Sequence, residues 1–232
     1  MVDINKHKFF LFQILKEIYE EKELAGILGF KGGTALLFFY DLPRFSVDLD
    51  FNLLHPEKED FVHAKVREIL LRHGMIHDEA KKFYGILCVL DYGMSERKLK
   101  VEISNRSFND RYEIKNLLGI NMQVMVAPDM FAHKLCAMLD RTAITNRDIF
   151  DCWFFMQNKT PLNKTIIETR MQMPLSDYLQ KCIDTLEKMS DKGLLNGLGE
   201  LMDEDRKKFV RTKLRTETIT LLKFYQQFPV LA

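Results

Sequence analysis

Gly29-Phe30-Lys31-Gly32-Gly33-Thr34-Ala35-Leu36 and, shortly after it, Leu42-Pro43-Arg44-Phe45-Ser46-Val47-Asp48-Leu49-Asp50-Phe51 decide how the rest of the chain is read. The first stretch closes an apolar run, Leu24 to Phe30, with a glycine pair, and resumes as Ala35 to Tyr40 before Asp41-Leu42-Pro43. That is the pattern of a strand or helix end, a tight turn and a buried helix. Glycines let main-chain N–H groups approach a phosphate, and a helix N-terminus adds partial positive charge, so Gly32, Gly33 and Thr34 are candidates for anion binding. An ordinary tight turn needs the same glycines. In the second stretch Val47 to Leu53 alternates with a period of two, which predicts a strand with Val47, Leu49 and Phe51 on one face and Asp48, Asp50 and Asn52 on the other. Carboxylates two residues apart lie about 7 Å from each other on such a face. They repel by about 2 kcal/mol at an effective dielectric near 20, so the pair asks for a cation. Divalent metal ions are one answer, in the arrangement that serves in-line phosphoryl or nucleotidyl transfer. A solvated strand face is the other.

Outward from this centre, Ile4 to Glu23 carries an amphipathic helical stripe through Leu11, Leu15, Ile18 and Tyr19, and Pro56 to Arg72 carries another. Tyr84 to Tyr92 and Leu99 to Ser104 read as an antiparallel hairpin turning through Gly93 to Arg97. With Val101 and Ile103 inward, Lys100 and Glu102 share the opposite face, which makes Glu102 a possible third carboxylate beside Asp48 and Asp50. Asn121 to Ala127 is one further strand. Past Pro128 the texture is helical: Asp129 to Arg141, Asn146 to Gln157, Leu162 to Leu186 and Asp205 to Phe228. The expected architecture is α+β, with a mixed domain at 1–128 and a helical domain at 129–232.

The 232 residues, 47% hydrophobic and 29% charged, suffice for a core without disulfides and exclude a disordered chain. Lysine plus arginine number 34 against 33 acidic residues, so no global charge draws the protein to nucleic acid or an acidic membrane. Cys88, Cys136, Cys152 and Cys182 are scattered among apolar neighbours without a C-x-x-C pair, as reduced core thiols of a cytoplasmic protein would be. The N-terminus lacks a signal-peptide pattern, and no run approaches the ~20 apolar residues of a membrane span.

Together with His133-Lys134-Leu135-Cys136-Ala137-Met138-Leu139-Asp140-Arg141 and Asn146-Arg147-Asp148-Ile149-Phe150-Asp151, the two opening stretches resemble the signature of the AbiEii/AbiGii toxin family. These are bacterial nucleotidyltransferases within the DNA polymerase β-like superfamily. The resemblance covers about the first two thirds of the chain. It implies a polymerase β-like nucleotidyltransferase fold with a mixed, mostly antiparallel sheet followed by helices. It further implies that Gly32, Gly33 and Thr34 hold nucleotide phosphates, that Asp48 and Asp50 bind Mg²⁺ or Mn²⁺, and that Lys134 and Asp148 form the C-terminal motif. Catalytic residues would be Asp48, Asp50, Glu102, Lys134 and Asp148, with Lys134 also binding nucleotide. The substrate would be an NTP, the acceptor a tRNA 3′ end or a protein side chain, and the partner a cognate antitoxin in a toxin–antitoxin or abortive-infection system. Two departures stand out: Thr34 replaces the superfamily's usual serine, and Glu102 stands where an aspartate is usual.

The residues carry roles of their own. Lys134 lies away from Phe131, Leu135 and Met138, where it is either a point charge for phosphate oxygens or a solvent-facing lysine. Asp148 and Asp151 share a face near a helix start; Asp148 is either a partner for Arg141 or Arg147 or an active-site residue that orients Lys134. Phe38, Phe39 and Tyr40 suit a helix core, His133 lacks a second histidine at zinc-ligand spacing, and Arg206-Lys207-Lys208 suits a solvated helix face. Two rival functions remain: metal-dependent phosphodiester hydrolysis on the same carboxylates, and a non-catalytic protein-binding module.

Overall fold

The computed structural model describes residues 3–93, 97–140 and 145–232, so Arg141 and the tip of the expected hairpin lie outside the described residues. Among the described residues the chain divides into two compact units. One runs to Ser107 and adds Arg111–Met125; the other joins Phe108–Asp110 to the chain from Val126 onward.

The first unit is a sheet backed by helices. Helix α1 (Ile4–Glu20) starts where Asp3 accepts the Lys6 N–H at 3.0 Å, and it buries Leu11, Ile14, Leu15 and Ile18. A short helix, α2 (Lys22–Ala25), leads into β1 (Leu28–Lys31), which passes directly into α3 (Gly32–Phe39). Strand β2 (Asp48–Leu53) follows, then a 3-10 turn at Pro56–Lys58 and α4 (Glu59–Leu71). The remaining strands are β3 (Met75–Lys82), β4 (Gly85–Asp91), β5 (Leu99–Ser104), β6 (Tyr112–Leu117) and β7 (Ile120–Met125). The seven strands form one sheet in the order β3-β4-β5-β2-β1-β7-β6. Only the β2–β5 and β1–β7 pairings are parallel, so the sheet is mixed and mostly antiparallel. Phe30 and Phe51, opposite each other on β1 and β2, are fully buried with ring centroids 5.3 Å apart and centre this unit's core. Phe38, Phe39 and Tyr40 are half-buried rather than core; the Tyr40 hydroxyl donates to the Met125 carbonyl and to Glu113.

The second unit is helical: α5 (Ala127–Asp140), α6 (Asn146–Gln157), α7 (Lys164–Met171), α8 (Leu175–Lys188), α9 (Glu204–Thr212) and α10 (Leu214–Gln227). Two long helices expected from the sequence are each broken in two. Gln172 takes a left-handed conformation ahead of Pro174, which ends α7, and Lys213, at φ −132° and ψ −31°, departs from helical geometry between α9 and α10. Phe131 stacks on Phe155 at 5.1 Å and meets Tyr225 edge-on at 5.8 Å. The four cysteines are free and buried. The basic stretch of α9 is locally paired, Arg206 with Asp203 and Lys207 with Glu204.

Phe108–Asp110 is held on this helical unit by a chain of polar contacts. Arg170 can only donate, so His133 Nδ1 accepts from it at 2.8 Å and His133 Nε2 donates to Asp110 at 2.5 Å. Arg170 also binds Asp140 at 2.8 Å and lies 5.1 Å over the Phe108 ring. His133 is thus a strap residue. Among the described residues no helix is long and apolar enough to cross a membrane.

Candidate active site

The glycine turn and the acidic strand meet because glycine is required there. Gly32 opens α3 with φ +80°, and a Cβ on it would fall 2.3 Å from Asp50 Oδ2. The carboxylate of Asp50 therefore occupies space that any other residue at position 32 would fill. Lys31, opposite Asp50 in the β1–β2 register, is the N-cap and offers no side-chain cap, so the first N–H groups of α3 are left to other partners. A Cβ on Gly33 would lie 2.7 Å from Ser46 Oγ and 3.1 Å from Arg44 Nη2. Arg44, only 4% exposed, donates from Nη1 to the Phe45 carbonyl at 3.0 Å. Neither Arg44 nor Ser46 was given a role by the sequence reading, although both lie inside the stretch that decided it.

The buried hydroxyl of Thr34 donates to the main-chain carbonyl of Asp48 at 2.5 Å, which ties α3 to the first residue of β2. One residue earlier, the Val47 carbonyl accepts from Nε2 of His7, a buried residue of α1, at 2.8 Å; His7 Nδ1 accepts from the Tyr92 hydroxyl. The strand start that carries Asp48 is thereby fixed from two elements.

Asp48, Asp50 and Asn52 share the face opposite the fully buried Leu49 and Phe51. Asn52 is itself buried because its amide donates to the Tyr112 hydroxyl at 2.7 Å, and the Tyr112 ring takes the space left by Gly29, where a Cβ would fall 2.2 Å from it. The parallel neighbour β5 sets Lys100 opposite Asp48 and Glu102 opposite Asp50. The Lys100 ammonium lies 3.1 Å from Glu102 Oε2 and 3.9 Å from Asp48 Oδ2. Burial alone would lower the affinity of Lys100 for its proton, but Asp48, Glu102 and Asp50 outweigh it and raise its pKa. Burial would likewise raise Glu102, but Lys100, Lys31 and Lys82 hold it below the usual carboxylate range.

The sequence-identified residues of the helical unit form a second polar knot. Lys134 on α5 pairs with Asp151 at 2.8 Å and with Asp148 at 3.2 Å, both on α6. The lysine side chain is 18% exposed and the two carboxylates 0% and 2%. Thr145 caps α6, accepting from the Asp148 N–H and donating its hydroxyl to Asp148 Oδ2 at 2.5 Å. Lys134 thus bridges two buried carboxylates, while Arg141 of the same block lies outside the described residues.

Among the described residues no three of histidine, cysteine, aspartate and glutamate cluster as a ready-made metal cage. Two carboxylates on a strand still fit magnesium or manganese. Mg²⁺ is ordinarily held by one or two carboxylates together with substrate phosphates rather than by an all-protein cage, and hard cations take oxygen donors. The space kept free at Gly32 for Asp50 is the local feature that suits that use.

The profile of the AbiEii nucleotidyl transferase toxin family, of type IV toxin–antitoxin systems, matches residues 13–217. Among solved structures, a candidate nucleotidyltransferase from H. pylori superposes with a TM-score of 0.65 at 21% identity, over 97% of this chain and 95% of its own. JHP933 from Helicobacter pylori gives 0.63 at 21% identity, over 97% and 92% of the two chains. MenT4, a nucleotidyltransferase toxin from Mycobacterium tuberculosis H37Rv, gives 0.61 at 16% identity, over 95% and 84%. These likenesses concern the fold. No curated protein sequence matches the chain.

Proposed function

Since the chain belongs to the AbiEii family of nucleotidyltransferase toxins of type IV toxin–antitoxin systems, we propose that it transfers a nucleoside monophosphate from an NTP to a hydroxyl of a tRNA 3′ end or a protein. The acceptor hydroxyl would give its proton to Glu102 and thence to solvent, its oxygen forms a bond to the α-phosphorus, the bond from that phosphorus to the α–β bridging oxygen breaks, and pyrophosphate leaves with the electron pair. Asp48 and Asp50 would hold Mg²⁺ or Mn²⁺, which when bound supplies charge stabilisation at the reacting phosphate. Gly32 and Gly33 would present the first N–H groups of α3 to the terminal phosphates. Thr34 and His7 keep Asp48 in place through the main chain. Glu102, set opposite Asp50 on β5 and anchoring Lys100 at 3.1 Å, would help to activate the acceptor hydroxyl. The family resemblance assigns Lys134 to nucleotide binding, and within the helical unit Asp148 and Asp151 would fix its ammonium. A cognate antitoxin would restrain the activity in the cell.

The observation that carries this reading is the fit of the Asp50 carboxylate against the bare Cα of Gly32, which joins an acidic strand to a glycine-opened helix. The test is incubation of the protein with each radiolabelled NTP, Mg²⁺, and cellular RNA and protein. Label should enter one macromolecule, be lost with Asp48→Asn plus Asp50→Asn, and be accompanied by pyrophosphate. Free nucleoside monophosphate without a labelled acceptor would establish hydrolysis instead. A biological effect that survives the double substitution would establish a binding module.

A further inference from the structure

Parallel pairing of β2 with β5 puts four charged side chains in two adjacent rows of one sheet face, Asp48 beside Lys100 and Asp50 beside Glu102. The repulsion that made the sequence ask for a cation is therefore met, at least at Asp48, by a residue of the chain itself. We propose that Lys100 is the resident counter-cation of this site: it neutralises Asp48 and Glu102 in the metal-free protein and thereby sets how tightly the carboxylates hold a divalent ion. The inference rests on the reading of Asp48 and Asp50 as that ion's ligands.

Geometry and chemistry favour the role. The Lys100 ammonium is 3.1 Å from Glu102 and 3.9 Å from Asp48, close enough to oppose any second positive charge drawn to Asp48. Lysine is a compact point charge on a flexible stem, and this side chain is 37% exposed, so it can withdraw without unpacking the core. Glu102 lies on the same strand two residues on, and offers the ammonium an anchor when Asp48 turns to another partner. The consequence is ordered loading. On their own the carboxylates bind a divalent ion weakly, and the phosphate oxygens of an arriving nucleotide tip the balance by adding ligands and negative charge.

The experiment measures Mn²⁺ alone, by the electron paramagnetic resonance signal of the free ion, against the wild type, Lys100→Met, Lys100→Arg and Lys100→Met with Asp48→Asn. At low ionic strength Lys100→Met should bind Mn²⁺ about tenfold more tightly than the wild type, with the gain shrinking as salt is added. Lys100→Arg should resemble the wild type, and Asp48→Asn should abolish the gain. A Lys100→Met affinity within about twofold of the wild type, a gain that survives Asp48→Asn, or undetectable Mn²⁺ on folded Lys100→Met would each overturn the proposal. No arm uses an NTP or an acceptor. A protein that transfers no nucleotide can still pass this test, and an active transferase whose Mn²⁺ affinity ignores Lys100 defeats this inference alone.

Discussion

Thr34 donates its hydroxyl proton to the main-chain carbonyl of Asp48, 2.5 Å away, so the first turn of α3 and the first residue of β2 move as one piece. Thr34→Val keeps the shape and removes the donor to a part-buried carbonyl, which should cost about 1 kcal/mol in urea unfolding. Thr34→Ser keeps the donor and should lose less than half of that. Nucleotide transfer should follow the same order, because the substitution loosens the strand that carries Asp48.

Gly32→Ala should be harsher on function than on stability. The new Cβ must sit at a positive φ and inside the space of the Asp50 carboxylate. Strain of about 1–3 kcal/mol is expected, together with loss of transfer activity, since Asp50 has to move. A Gly32→Ala protein with wild-type rates would show that the position of Asp50 is immaterial.

Lys134→Met removes a cation that lies 2.8 Å from Asp151 and 3.2 Å from Asp148, both of which are out of solvent. Breaking a buried pair from one side typically costs about 3–5 kcal/mol, so the helical unit should melt at markedly lower temperature. Adding Asp151→Asn to Lys134→Met should recover part of the loss, because the buried carboxylate nearest the missing ammonium is then neutral. Calorimetry of the three proteins decides the matter, and an additive further loss would contradict it.

Alkaline pH should weaken the fold through its thiols. Burial pushes both Cys136 and Cys182 up to about 12, against about 8.5 for an unfolded cysteine. Their contribution is complete below the unfolded value and drains as pH climbs from there to the folded one, because the unfolded chain releases protons that the native chain keeps. Two thiols should cost about 3 kcal/mol between pH 7.5 and 9.5. Urea unfolding at the two pH values measures this, and Cys136→Ala with Cys182→Ala should remove their share of the dependence, leaving that of Cys88 and Cys152, which burial also raises.

What the sequence made legible was local and periodic. The β2 alternation, the β4–β5 hairpin and the bounds of α6 could be read from side-chain spacing because each buries one regular face. Strands β3 and β6 escaped because they are the two edges of the sheet, where none of their residues is buried and no apolar face stands out. The break after Gln172 was marked in the sequence by Pro174 and passed over, whereas Lys213 is no helix stop signal. In the site, Asp48, Asp50 and the glycine pair were visible as short motifs. The partners that arrange them were not: Lys100 reaches Asp48 only through strand register, and His7 holds Val47 from 40 residues away. Such contacts belong to topology, which no short window contains.

The strap at Phe108–Asp110 bears on how this chain could be divided. Because these residues belong with the helical unit while their neighbours on either side belong with the sheet, the two units are joined at three points, after Ser107, after Asp110 and after Met125. A fragment begun at Val126 would leave Asp110 behind and rob His133 of the carboxylate that takes its proton. The halves are consequently not interchangeable cassettes: a single crossover cannot graft this helical half onto another sheet, and any exchange between relatives must carry the intervening tripeptide with it.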